Sequence, residues 1–311
     1  MISFRYHLVS IVAVFLALAV GILMGTTVIK QGIIDQLNRQ TNRAVQSSGA
    51  LRQQVAQLQS DMAVLNRFMT QAAPQLIAGR LAGREVVLVT MDGVDPSEVD
   101  GVRRALQQAG ATVVAELVAT SRMAIPDQKA GSDLAVAIGT TTPPASPAGL
   151  SAEAAAVLAH RLATGPDPTG PDVLRQLISG GFLALRPIAN GDPTEIGSSS
   201  QAEVVLSGGP ADPSVDPASF LVPLTAGLVA ASQPVVAAET QDPAYGFVSL
   251  IRSNGNLDKH LVTVDNADAV PGQVAVVLGL NALLLSPGSG GDYGVRGSAS
   301  SILPPVPTPT P

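Results

Sequence analysis

The residues that could carry chemistry in this chain are few and scattered. It has no cysteine and only three histidines, His7, His160 and His260, which do not have the spacing of a metal-ligand pair. Without cysteine there can be no disulfide, thiolate nucleophile or zinc–thiolate site. The Gly-x-x-x-x-Gly-Lys-Ser/Thr pattern of a phosphate-binding loop is also absent. We therefore predict a protein that is not an enzyme and for which no cofactor is evident.

Four polar residues are candidates for a site in the C-terminal part. Asp92 and Asp265 follow predicted strands, Asn266 comes next, and Tyr293 lies in an Asp-Tyr-Gly segment. Ligands of open α/β sheets bind beyond the carboxyl ends of the strands. Aspartate at such positions also forms turns and helix caps, so both roles stay open. The glycine-rich residues 288–294 follow a helix rather than precede one, and we interpret them as a mobile connector.

The net charge of the chain limits the classes of partner that it is expected to bind. The net charge is −6 and the isoelectric point about 5.0, so the sequence offers no basic surface of the kind that binds nucleic acid. We predict no nucleic-acid partner.

The first thirty residues predict a membrane segment. Leu8–Ile29 is a run of 22 residues without a charged side chain, and a membrane-crossing helix needs roughly 20 apolar residues. A cleaved signal peptide is the alternative, with Ala17-Leu18-Ala19 as its cleavage site, but its apolar core would be unusually long. We predict an uncleaved transmembrane anchor at residues 1–30.

The orientation of this anchor does not follow from charge, because basic residues flank both of its ends. A short head followed by a long C-terminal part is typical of an anchor that exports that part. We expect Gln31–Pro311 to lie in the cell envelope.

Residues 31–73 predict a coiled-coil stalk. Apolar residues recur there in alternating steps of three and four. The strongest part of this seam is Leu51, Val55, Leu58, Met62, Leu65 and Met69. An amphipathic helix packed on its own domain is the alternative interpretation. The position of residues 31–73 directly after the predicted membrane segment favours self-association instead.

Small residues give a second, weaker sign of association. Ala17, Gly21 and Gly25 recur every fourth residue, a spacing that lets membrane helices approach closely. With the heptad seam, this pattern predicts a homodimer.

Strands and helices alternate from Arg84 onward, which predicts an α/β domain with a largely parallel sheet over residues 84–295. The predicted strands are Glu85–Thr90, Thr112–Leu117, Asp133–Gly139, Glu203–Leu206, Val235–Ala238, Phe247–Arg252 and Leu261–Asp265. The predicted helices begin at Pro96, Ser151 (as the cap), Pro171, Leu221 and Gly272. Residues 296–311 predict a disordered tail, because Ile302–Pro311 has five prolines and resembles a polyproline arm.

The opening sequence MISFRYHLVSIVAVFLALAVGILMGTTV resembles that of the mycobacterial copper transport protein B family of actinobacterial envelopes. The similarity continues through APQLIAGRLAGREVVLV (residues 73–89) and through the segments GFVSLIR, LVTVDNAD and DYG, and it covers the chain except its proline tail. The family pattern has a histidine before the final Tyr-Gly, where this chain carries Asp292.

The resemblance implies a pore-forming protein of copper efflux, which the family description locates in the outer membrane. Resemblance to division-associated envelope proteins implies the alternative, a non-catalytic dimeric scaffold that binds an envelope or division partner in cell-wall remodelling and daughter-cell separation. Copper(I) prefers thiolate, thioether and imidazole ligands, and the six methionines form no Met-x-x-Met cluster. The residues therefore predict no tight copper site in the α/β domain.

Overall fold

The computed structural model of the chain describes residues 4–187, 196–209, 213–257 and 259–305. It divides into two compact units, residues 1–66 and residues 67–311. The first unit is built from helix α1, Phe4–Ile77, whose last turns belong to the second unit. The predicted proline arm lies outside the described residues from position 306 onward.

The second unit alternates strands with helices. Its strands are β1 Glu85–Met91, β2 Thr112–Ala119, β3 Leu183–Pro187, β4 Gln201–Ser207, β5 Val235–Glu239, β6 Val262–Val264 and β7 Gly291–Tyr293. Its helices are α2 Pro96–Gln108, α3 Gln128–Ile138, α4 Pro147–Thr164, α5 Val173–Ser179, α6 Leu221–Ala230, α7 Phe247–Arg252 and α8 Val270–Leu285, with a short 3-10 helix at Ser121–Ala124.

These strands form one sheet in the order β3-β2-β1-β4-β5-β6-β7. All neighbours are parallel except β2 and β3, which are antiparallel. The prediction of an α/β unit with a largely parallel sheet is confirmed. The direction of strand addition reverses between β1 and β4, which is the position where ligands bind in many open α/β sheets.

The central strands are recognisable in the sequence because they are buried along almost their whole length. Every residue of β4 and β5 is buried, and in β1 Glu85 alone is exposed. A parallel sheet covered by helices produces continuous apolar runs rather than an alternating pattern. The strands predicted from such runs, at β1, β2, β4 and β5, are confirmed, as are α2 with its Asp95 cap, α6 and α8.

The predicted strand Asp133–Gly139 is wrong, because this segment is the second half of α3. The helix begins where the Asp127 carboxylate accepts a hydrogen bond from the Ala130 N–H at 2.7 Å. It ends at Gly139, which adopts the left-handed conformation with φ 71°. Its buried residues Ala130, Leu134, Ala137 and Ile138 lie on one helical face, a pattern that the seven-residue window hid.

The predicted strand Phe247–Arg252 is also wrong, because these residues form α7. Phe247, Val248 and Ile251 are buried, which is a helical spacing. The Val248 N–H donates to Glu239 Oε2 at 2.9 Å and fixes the start of the helix against β5. An apolar run of six residues does not distinguish strand from buried helix by period alone.

Other boundaries differ at helix starts and in two strands. The cap of α4 is Ser146 rather than Ser151, since the Ser146 hydroxyl accepts from the Gly149 N–H at 3.1 Å. Helix α5 begins after Asp172, not at Pro171. Strands β3 and β7 were not predicted, and β7 lies inside the glycine-rich segment that was interpreted as a connector.

Glu203 is an exception in this apolar core. It lies in the middle of β4, is fully buried, and neither of its carboxyl oxygens has a hydrogen-bond partner among the described residues. Burial raises the pKa of Glu203 to about 8, because the ionised form loses its hydration. The side chain is therefore mainly protonated at neutral pH.

This carboxyl group should make the second unit less stable as the pH rises. Its ordinary pKa is 4.5, so between pH 4.5 and 8 the folded state holds a proton that the unfolded state releases, and the free energy of unfolding falls through that window. A tenfold change in an ionisation constant is about 1.4 kcal/mol, so the total loss is several kcal/mol. Urea unfolding of residues 67–311 at pH 5 and pH 8 measures it.

Glu203→Gln should remove most of this pH dependence, whereas Glu153→Gln on the partly exposed face of α4 should leave it unchanged. Equal pH profiles for Glu203→Gln and the unaltered chain would contradict the assignment.

Candidate functional site

The carboxyl ends of β5, β6 and β7 meet in a cluster of charged side chains centred on Arg252, the last residue of α7. The Arg252 guanidinium donates to Asp265 Oδ2 at 2.7 Å and to Thr263 Oγ1 at 2.8 Å, and lies 3.3 Å from Asp292 Oδ1. Its side chain is only 5% exposed. A buried charge is stable only when it is paired and hydrogen-bonded, so this arginine joins α7 to β6 and β7.

Asp265 extends the cluster into the segment that follows β7. Its fully buried carboxylate accepts hydrogen bonds from the Val295 N–H at 2.7 Å and the Arg296 N–H at 3.3 Å. Gly294 has φ 131°, and a Cβ atom there would clash with the Asp265 carboxylate. This turn therefore requires glycine.

A second ion pair lies beside the first. Glu239, the last residue of β5, is buried, pairs with Arg296, and accepts from the Val248 N–H at 2.9 Å. Burial raises the pKa of Glu239, while the Val248 N–H and the Arg296 charge act in the opposite direction. Arg296 also donates to the Gln241 carbonyl at 2.7 Å. The segment after β7 is thus held to β5 as well as to β6.

Asn266 and Tyr293 border this cluster. Asn266 is buried, and in the described part of the chain its Oδ1 atom has no hydrogen-bond partner. The Tyr293 carbonyl accepts from Arg252 Nη2 at 2.9 Å. Burial, and secondarily the Asp292 charge, raises the pKa of the Tyr293 hydroxyl. Three of the four candidate residues, Asp265, Asn266 and Tyr293, therefore lie at one edge of the sheet.

Asp92 lies apart from them. Strands β4 and β5 separate β1 from β6, so three strand spacings, about 14 Å, lie between them. The Asp92 carboxylate accepts from the Ser121 N–H at 3.0 Å, at the start of the 3-10 helix. At the crevice between β1 and β4, the Gly93 carbonyl occupies the space that a side chain at Gly209 would need. The segments after β1 and β4 therefore approach each other backbone to backbone at this position.

Sequence reasoning missed Arg252, Arg296, Glu239 and Thr263 as members of the cluster. A signal was present, because the segments GFVSLIR, LVTVDNAD and DYG contribute Arg252, Asp265 and Asp292 respectively. These segments are separate in sequence and adjacent in space. The strand assignment of GFVSLIR hid this, since it placed Arg252 in the sheet rather than at a helix end.

The cluster pairs its charges internally rather than offering them to a ligand. Across the described ranges, no group of three or more His, Asp or Glu side chains is placed to hold a metal ion. His160 is exposed on α4, and His260 lies in the loop before β6. The arrangement is suited to fastening the chain after β7 to the sheet.

The first unit contains the predicted membrane segment. Arg5–Gly25 is a helical stretch of 21 residues with mean hydropathy 2.8, long and apolar enough to cross a membrane. No heavy atom from beyond the neighbouring helix backbone lies within 4 Å of where a Cβ at Gly21 or Gly25 would be. This face of the helix is open.

The heptad seam is exposed in the isolated chain. Leu51, Val55, Leu58, Met62 and Leu65 are each more than half exposed. At about 100° per residue, the centre of this seam lies roughly 120° around α1 from the centre of the Ala17, Gly21 and Gly25 face. A straight two-helix contact would use one of these faces and not both.

The charged cluster makes a testable contribution to stability. Arg252→Met leaves the buried Asp265 carboxylate without its counter-charge and should lower the free energy of unfolding by about 3–5 kcal/mol. Urea unfolding of residues 67–311 measures this loss. The exposed Arg84 gives a matched control, since Arg84→Met should change stability by no more than about 0.5 kcal/mol.

Adding Asp265→Asn to Arg252→Met should restore part of the loss, because the orphaned charge is then removed. If Arg252→Met were no more costly than Arg84→Met, the cluster would not have the role assigned to it.

Comparison with known proteins places the whole chain in one family. The family model described as "Copper transport outer membrane protein, MctB" matches residues 1–304. "Copper transporter MctB" of Mycobacterium tuberculosis (strain ATCC 25618 / H37Rv) is 26% identical over 324 residues, covering 97% of this chain and 99% of that protein. The protein of the same name from Mycobacterium leprae (strain TN) is 27% identical over 322 residues, covering 98% and 100%. These relatives are named as transporters, not enzymes, and the chain belongs to the MctB family of copper transport proteins.

Proposed function

We propose that this protein takes part in copper transport in the cell envelope, as a membrane-anchored protein that works when several chains assemble. The family match over residues 1–304 supports copper as the transported ion. The family description supports an envelope location, and the proposal includes export of residues 31–311. Copper is therefore a substrate in this proposal, and no resident cofactor is invoked.

The observation that carries the assembly is the membrane segment. In the described part of the chain, one helix is long and apolar enough to cross a membrane. A single α-helix has no internal channel, and its outer surface here is apolar. A polar pathway in lipid must be enclosed by protein. A pore would therefore have to form between the helices of several chains, or between this helix and a partner.

The exposed seam supports pairing of two chains in a stalk over residues 31–73. The heptad d positions are occupied by Leu51, Leu58 and Leu65. The a positions are occupied by Val55, Met62 and Met69. Leucine at d with a β-branched residue at a favours two-stranded parallel coiled coils. The small-residue face of Ala17, Gly21 and Gly25 is then left for close packing with a further membrane helix.

The charge distribution fits a protein that handles cations weakly. Residues 67–311 contain 22 of the 24 acidic residues. An acidic surface raises the local concentration of cations without a specific site. This is compatible with transport by a unit in whose described residues no metal-holding group occurs. The head domain of this proposal spans residues 84–295 and the tail spans 296–311, of which Arg296 is still held to the sheet by Glu239 and Asp265.

The alternative function is a non-catalytic dimeric scaffold that binds an envelope or division protein in cell-wall remodelling. The observation that favours it is the internal pairing of charges at the sheet edge, which leaves the described residues of the head without an evident copper ligand set. In this case the exposed seam would still pair two chains.

A deletion strain distinguishes the two functions. If the protein takes part in copper efflux, the strain should accumulate more copper than its parent in copper-supplemented medium. The full-length gene should restore the copper content of the parent. Copper content is measured by mass spectrometry and cell separation by microscopy of the same cultures. Normal copper content with chained, unseparated cells would contradict the transport proposal and favour the scaffold.

Seam substitutions test the assembly. Leu58→Asp buries a charge at a d position and should convert purified dimers to monomers, whereas Ser60→Asp, on the outer side of the same helix, should leave dimers intact. Light scattering of the full chain in detergent, corrected for bound detergent, gives the mass. The stalk proposal fails if the unaltered chain is monomeric.

A further inference from the structure

An exposed loop rich in threonine and proline joins α3 to α4. Residues 140–147 have the sequence Thr-Thr-Thr-Pro-Pro-Ala-Ser-Pro. The loop is irregular up to the start of α4 at Pro147, and all its residues from Thr141 onward are exposed. Segments rich in threonine or serine that also contain proline are typical acceptors of O-linked sugars. Composition and exposure thus make this loop a candidate site of covalent modification.

The hydroxyl groups of Thr141 and Thr142 are available for reaction. Both side chains are exposed, and within the described ranges neither hydroxyl takes part in a hydrogen bond. Two other exposed threonines of the same unit differ from them. The Thr164 hydroxyl donates to the His160 carbonyl at 2.9 Å, and the Thr169 hydroxyl donates to Asp167 Oδ1 at 2.7 Å. Each of those hydroxyls would have to give up a hydrogen bond before it could react.

Proline favours an extended backbone in this loop. A residue that precedes proline is restricted to extended conformations, and Thr142 and Pro143 are both followed by one. Pro144 packs on the first turn of α4, where a Cβ atom on Gly149 would lie 3.0 Å from its ring. The Ser146 cap holds the end of the loop. Because the loop is not part of a helix or a strand, it can enter the cleft of a modifying enzyme without unfolding either.

The composition of the loop fits a neutral group better than a charged one. Residues 139–149 contain no charged side chain. A phosphate on a threonine here would find no arginine or lysine among these residues, although such a pairing is what a phosphate normally stabilises. A sugar needs no counter-charge. The same pattern returns in the sequence Pro-Thr-Pro-Thr-Pro at residues 307–311, which lies outside the described residues.

We propose that Thr141 and Thr142 are acceptors of O-linked hexose, transferred by a separate glycosyltransferase from a lipid-linked glycosyl phosphate. The threonine Oγ1 atom forms a bond to the anomeric carbon of the sugar, and the bond from that carbon to the donor phosphate breaks. The transferase takes the hydroxyl proton, and the phosphate leaves with the bonding electrons. This inference rests on the export of residues 31–311 in the proposed function and is independent of copper transport.

Peptide mapping of the full chain tests this site. The protein is purified in detergent from the membranes of its native host and digested with trypsin, which yields residues 130–161 as one peptide and residues 162–175 as the next. Mass spectrometry with electron-transfer fragmentation should place hexose on Thr141 or Thr142 in the first peptide, and none on Thr169 in the second. Mild alkali should remove the sugar by β-elimination, as an O-glycoside of threonine requires.

Matched variants assign the modified residues. Thr141→Val combined with Thr142→Val should abolish hexose on residues 130–161, whereas Thr169→Val, the same change in the exposed loop after α4, should leave it unchanged. Hexose that persists on this peptide in the double variant would overturn the assignment.

Export is measured separately, so that its failure can be recognised. Ser300→Cys introduces a cysteine into a chain that otherwise has none, and a membrane-impermeant maleimide should label it in spheroplasts. A labelled chain whose Thr141 and Thr142 are unmodified, or carry phosphate instead of hexose, would overturn this inference and leave the proposed function standing. A chain that the maleimide does not reach would contradict the export on which both depend.

Discussion

The carboxyl edge of the sheet depends on the buried charge of Arg252. Strands β6 and β7 have only three residues each, fewer than most strands. Their backbone hydrogen bonds alone therefore contribute little to the stability of this part of the sheet. Arg252 adds hydrogen bonds to Asp265, Thr263 and the Tyr293 carbonyl, and thereby ties α7 to both short strands. The planar guanidinium has five donors, which is why one side chain can do this. Lysine could not reproduce the geometry.

A second constraint comes from the continuity of α1. Because helix phase accumulates at a fixed angle per residue, the small-residue face near Gly21 and the seam near Leu58 point in different directions around one regular helix. Two patterns that each favour association therefore do not reinforce a single contact. If the seam pairs two chains, the glycine face remains available to another membrane helix, and assembly need not stop at two copies.

The sequence was sufficient for the central sheet and insufficient for its edges and its charged cluster. Strands β1, β4 and β5 could be predicted because burial on both faces leaves an unbroken apolar run. Phe247–Arg252 and Asp133–Gly139 could not be assigned, since short apolar segments carry no decisive period and the N-caps of their helices lie outside them. The pairing of Arg252 with Asp265 and Asp292 arises only when three separate segments meet, so tertiary topology decides it. Asp265 was found by its position after a strand and Tyr293 by its Asp-Tyr-Gly segment, whereas Asp92 lies three strands away and accepts from the Ser121 N–H.

A transported ion imposes different demands from a stored one. A tight site holds its ion, while a conducting path must bind weakly enough to release it. In the described residues the carboxylates most deeply buried at the sheet edge, Glu239 and Asp265, are already neutralised by arginines. They are thus withdrawn from metal binding. In the function that we propose, the described part of the chain offers one helix long enough to cross a membrane, so selectivity would arise where chains meet and association would be the step on which transport rests.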